Sequence, residues 1–139
     1  MRDNQWLKQR LEYIWKMYFG DVVLANTVYV RFGRKAKTRL GSIKHGRKIM
    51  ARGNKNTYIT ITGLFRNDKI PEYVLDAVLA HELSHYTHGF FSPHTRVYSH
   101  PHKHKIVDNE LTKRGLGDIL KNQKTWLKEN WKDVIINNE

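Results

Sequence analysis

The sequence predicts one α+β domain spanning residues 1–139: an N-terminal helix, a small and mainly antiparallel sheet, then helices to the end. Three observations predict it. Apolar residues recur every three or four positions towards both ends, residues 27–62 alternate in the manner of strands, and no low-complexity stretch divides the chain. At 139 residues, 40% of them hydrophobic, the chain can build one ordinary core but not two.

Residues 4–19 form the first predicted helix, with Leu7, Leu11, Ile14, Trp15, Tyr18 and Phe19 on one face and Gly20 as its stop. The β-branched and aromatic run 27–33 reads as a strand. Around residues 37–51 the signals are mixed, and Gly41 and Gly46 suggest strand segments interrupted by a bulge or turn. The clearest strand is 56–62, with Ile59 and Ile61 towards the core and Tyr58, Thr60 and Thr62 on the other face. From Pro71 the period becomes helical, through Tyr73, Val74, Val78, Leu79, Leu83 and Tyr86 to Gly89. A loop at 89–101 precedes a helix at about 103–114, with Ile106, Val107 and Leu111 inward. The last helix, about 117–136, is expected to bury Leu120, Leu127, Trp131 and Ile135. The four tryptophans fall at helical spacing, which favours core packing over base stacking.

There is no cysteine, so disulfides, cysteine zinc ribbons and iron–sulfur clusters are excluded, and any transition-metal site must use histidine and carboxylate. The first twenty residues scatter charge through what would be a signal peptide's apolar region, and no apolar run approaches the ~20 residues that span a bilayer. The expected location is the cytoplasm. The formal net charge is +12, and residues 31–55 hold ten Lys or Arg with no Asp or Glu. That segment is either a solvated basic surface or a face for a polyanion, of which nucleic acid is the leading candidate. No nucleic-acid-binding motif accompanies it.

The residues that carry chemistry are His81-Glu82-Leu83-Ser84-His85, an H-E-x-x-H inside the predicted helix. At 3.6 residues per turn the two histidines share a face and can reach one metal ion, with Glu82 beside them. Zinc suits such a nitrogen and oxygen donor set with one open position. A water there has its pKa lowered to about 7, and Glu82 is placed to take its proton, direct it onto a carbonyl carbon and protonate the leaving amine. The bland alternative is a pair of partly exposed helix-face histidines. Ser84 and Thr87 suggest no separate nucleophile.

A third ligand is required, and seven of the eight histidines lie between 81 and 104. His102, just after Pro101 and four residues before the apolar Ile106, is the leading choice. Glu110 is its main rival, with His100 and His104 behind. His88 shares the helix face but sits far along it, as an outer partner or a cation at the helix end. His94 reads as an exposed loop residue without a role. Arg96 and Tyr98, in the same loop, are candidates for oxyanion stabilisation. The strand 56–62 is either an interior strand or an edge on which an extended substrate pairs.

Residues 37–116, through "TRLGSIKHG", "TYITITGLF", "IPEYVLDAVLAHELSHYTHGF" and "HPHKHKIVDNELTKRGL", resemble the SprT-like zinc metallopeptidases. The resemblance implies a zincin-like domain, with His81, His85 and His102 as zinc ligands and Glu82 as catalytic base. It implies a protein or peptide substrate. Some members of that family degrade proteins crosslinked to DNA, which would give the segment 31–55 a purpose. The sequence departs from the family in lacking a four-cysteine ribbon and in carrying Lys103 where a glycine usually follows the third histidine. A reading from a different class is a nucleic-acid-binding module whose zinc is purely structural; another keeps the open site but hydrolyses something other than peptide bonds.

Overall fold

The computed structural model describes residues 1–49, 55–102 and 105–138. Helix α1 (Asn4–Tyr18) begins where Asp3 accepts a hydrogen bond from the Trp6 amide at 2.8 Å, and it buries Leu7, Leu11 and Ile14. Strands β1 (Val28–Phe32), β2 (Gly41–Ile49) and β3 (Lys55–Ile61) form one sheet in the order β1-β3-β2. The expectation of a mainly antiparallel sheet is corrected to a mixed one. β3 pairs antiparallel with β2 but parallel with β1, because the chain lays down β2 at the far edge and returns between the two. β3 is therefore interior, and the reading of residues 56–62 as a substrate-pairing edge does not hold; β1 and β2 are the edges.

Ile59 and Ile61 are fully buried as expected, and Tyr58 and Thr60 turn to the opposite face. Thr62 departs from that pattern. It lies past the strand, is buried, and its hydroxyl donates to the Ala36 carbonyl at 2.7 Å while capping a 3₁₀ turn at Gly63–Arg66 that the sequence did not announce. Gly41 opens β2 rather than interrupting it, and the irregularity in the ladder falls between His45 and Ile49, around Gly46. The Arg2 guanidinium, also unannounced, is buried and donates to the carbonyls of Phe65, Asn67 and Ile70, fixing the connection into the next helix.

That helix, α2 (Glu72–Thr87), starts after Pro71, which sits at the cap rather than in the first turn. It is buried on almost every side, since α1, α3, α4 and the sheet all pack around it. Asp76 is buried on it and receives two hydrogen bonds of 2.6 Å from Arg10 of α1. Helix α3 (Ile106–Lys113) follows Lys105, which is left-handed with φ 54°; residues 103 and 104 of the expected helix 103–114 lie outside the described residues. Val107 and Leu111 are buried as expected and Ile106 is half-buried. Gly115 ends this region with φ 85°, a conformation that favours glycine.

Helix α4 (Gly117–Asn137) lies along the surface of α2. Only Leu120 and Gln123 are buried on it; Leu127, Trp131 and Ile135, expected inside, are half-buried. Trp131 donates to the Lys37 carbonyl at 2.8 Å, and all four tryptophans pack against the core. Phe32, Ile43, Ile59 and Ile61 join the helices in that single core, so the helices cover one face of the sheet only. Among the described residues no helix is long and apolar enough to cross a membrane.

Candidate metal centre

One helical turn separates His81 from His85 on α2, and their Nε2 atoms face one another at 3.1 Å. The third imidazole comes from His102, in the turn before α3 rather than within that helix. Its ring centroid lies 5.4 Å from His81 and 4.8 Å from His85. One ring nitrogen from each of the three falls within 4.8 Å of the others, so these histidines could hold a metal ion. Tetrahedral ligation at ~2.0–2.1 Å asks for nitrogens about 3.3 Å apart, which the His81–His85 pair already meets. Burial, reinforced by the neighbouring imidazoles, takes His81 down to about 4 and His85 to about 3. Both rings are therefore neutral at ordinary pH, the form in which imidazole binds metal. His85 Nδ1 is buried with no hydrogen-bond partner among the described residues.

Glu82 projects beside the triad and is 5% exposed. Burial raises its carboxyl to about 8, against the pull of the Arg39 guanidinium. β2 passes very close here. A Cβ built on Gly41 would stand 2.7 Å from Val78 Cγ1 and 3.1 Å from Glu82 Oε1, so a glycine is needed for strand and helix to meet at this point. Gly41, which the sequence offered as a bulge or turn signal, is thus a residue of close approach.

The triad lies between two lobes of a cleft. One, of about 500 Å³, is bounded by Thr38–Gly41, Ala77, Val78 and the α4 residues Leu120, Gln123 and Leu127. The other, of about 300 Å³, is bounded by Ser42, Ile43, Phe90, Phe91 and Pro101. Arg39, Gly41, His81, Glu82 and His102 border both. Among the described residues Arg39 is the cation that borders both lobes, and nothing in the sequence distinguished it from the other nine in the basic segment. Arg96 and Tyr98, the expected oxyanion candidates, line neither lobe. The Arg96 guanidinium lies 4.6 Å from the Phe90 ring centroid, and Tyr98 packs edge-on to His88.

Glu110, the rival third ligand, is occupied away from the triad. Its Oε1 meets His88 Nε2 at 2.8 Å and its Oε2 accepts from Arg114 Nε at 3.2 Å. Arg114 also donates to Asp21 and to the Tyr18 carbonyl, so the group ties α2, α3 and the end of α1 together. His88 is buried at the C-terminal cap of α2, and its hydrogen-bond partner is Glu110 rather than a member of the triad. His100 is exposed and outside the triad, and His104 lies outside the described residues. His94 is not idle: its Nε2 meets the Val23 carbonyl at 2.7 Å and its ring packs edge-on to Tyr86. The Ser84 and Thr87 hydroxyls donate back to the Ala80 and Leu83 carbonyls of their own helix, which occupies them structurally.

Comparison with known proteins finds no matching family model, no matching curated protein and no matching solved structure.

Proposed function

We propose that this chain is a zinc-dependent endopeptidase of SprT-like type, with His81, His85 and His102 as metal ligands and Glu82 as general base. The observation that carries the reading is the meeting of three imidazoles, two of them held neutral by burial, beside one buried carboxyl group where two lobes of a cleft join. When bound, zinc would supply a Lewis acid, polarise a water and add the positive charge that favours ionised Glu82. Glu82 takes a proton from the attacking water and returns it to the amine nitrogen as the C–N bond breaks. Arg39, rather than Arg96 or Tyr98, is the side chain placed to meet negative charge developing on the scissile carbonyl oxygen. Two lobes flanking the reacting centre suit a polypeptide that continues to both sides of the cut bond. The substrates are proposed to be proteins associated with nucleic acid, on the strength of the basic segment 31–55.

Cleavage of a DNA-binding protein by wild type and Glu82→Gln, with zinc content measured in both, tests this. Cleavage by wild type alone, with zinc retained in the variant, supports it. If both preparations are zinc-loaded and neither cleaves any protein offered, and zinc removal unfolds the chain, the site is structural. A purely structural site normally has a fourth protein ligand, and the described residues gather three.

A further inference from the structure

The sheet face turned away from the helices carries an arrangement of its own. Tyr29 of β1 and Tyr58 of β3 are directly paired, with ring centroids 5.2 Å apart and planes 21° from parallel. The Arg31 guanidinium lies 5.1 Å from the Tyr58 centroid, and Lys44 of β2 is the partner of Tyr58 on its other side. Arg31 and Lys44 are exposed, and Tyr29 is 45% exposed. A Cβ on Gly46 would stand 2.7 Å from Tyr58 Cε2, so the absence of a side chain at 46 lets the ring occupy its place against β2. None of the three strands carries an acidic residue, and the cations beside the pair are Arg31 and Lys44.

A cross-strand aromatic pair stabilises a sheet by itself. It does not call for flanking cations without a carboxylate on any strand. Aromatic surface and cations that make no ion pair among the described residues, on one open sheet face, suit a ligand that is planar, apolar on its faces and repeatedly anionic. Unpaired bases on a phosphodiester backbone have that chemistry; in a duplex the base faces are already stacked and hidden. We propose that the outer face of the sheet, centred on Tyr29 and Tyr58, binds single-stranded nucleic acid, with bases stacking on tyrosine and phosphates meeting Arg31 and Lys44. The assignment deepens the nucleic-acid part of the proposed function, but the cleft lies on the helix side of the sheet, so binding at this face can fail while cleavage stands, and the reverse.

The test is fluorescence anisotropy of a labelled oligothymidylate with the full chain, in wild type, Tyr29→Thr, Tyr29→Phe and an Arg31→Gln/Lys44→Gln double variant. Thermal melts establish that each is folded; threonine keeps strand preference while removing the ring. Tyr29→Thr is expected to bind about tenfold more weakly with an unchanged salt dependence. Tyr29→Phe is expected to bind as wild type does. The double variant is expected to weaken binding and to flatten the salt slope by about 0.7 per lost phosphate contact. Single strands should compete better than duplex or anionic vesicles. Equal affinity of Tyr29→Thr and wild type, equal competition by duplex or vesicles, or no binding at low salt would overturn the proposal.

Discussion

Gly41 and Glu82 are fitted to one another: a single carbon added to the glycine would lie 3.1 Å from the carboxylate oxygen and 2.7 Å from the neighbouring Val78. Gly41→Ala must push β2 off α2 or turn Glu82 away. It is expected to cost about 1–3 kcal/mol of stability, as overpacking does, and to reduce peptide cleavage by more than the lost folded fraction explains. Urea unfolding beside kcat/KM separates the two effects.

His102 and Glu110 were rival ligands, and the geometry divides them. His102→Ala is expected to lose bound zinc. Glu110→Gln is expected to keep it and to lose about 1–3 kcal/mol of stability, the usual range for a disturbed buried polar contact, because His88 and Arg114 lose a charged partner. Zinc analysis and denaturant unfolding of both variants check this. Zinc loss in Glu110→Gln with none in His102→Ala would reverse the assignment.

The bidentate pair Arg10–Asp76 fastens α1 to α2, and the Asp76 side chain is 6% exposed. Arg10→Ala strands a buried carboxylate and is expected to cost about 3–5 kcal/mol. Asp76→Asn in the Arg10→Ala background should recover part of that loss, since the stranded charge is then gone. Thermal melts of the single and double variants measure it.

In the metal-free protein, stability should peak near pH 6.5. Below 6.5 the unfolded chain protonates His81 and His85 while the folded chain, with these groups at about 4 and 3, does not; stability therefore falls with acid. Between 4.5 and 8 the folded chain holds a Glu82 proton that the unfolded chain has lost, so stability falls as pH rises through that window. From 6.5 to 4.5 the two histidines outweigh the one glutamate. Urea midpoints of chelator-treated protein across pH should show this, and Glu82→Gln should flatten the alkaline side.

What was legible in the sequence was local. The helical spacing of Leu7, Leu11 and Ile14, and the alternation around Ile59 and Ile61, depend only on near neighbours. The H-E-x-x-H pattern likewise places two nitrogens by helix geometry alone. Strand order was not legible, because the parallel β1–β3 pairing is decided by how a core closes and not by any residue in those strands. The same limit hid Arg39, one cation among ten until the run into β2 set it near Glu82. It also left Glu110 open as a ligand until His88 and Arg114 were seen to hold it. The half-buried Leu127 and Trp131 show the converse: amphipathic spacing reports which face turns inward, but not how much of the core remains to cover it.

The central claim is that Glu82 does chemistry beside a metal held by His81, His85 and His102. It is tested most directly by following cleavage of a protein substrate with zinc-loaded wild type and zinc-loaded Glu82→Gln. The predicted result is equal zinc content, equal folding and at least a hundredfold lower cleavage in the variant, about the least that loss of a general base costs. Equal cleavage by both would contradict the account.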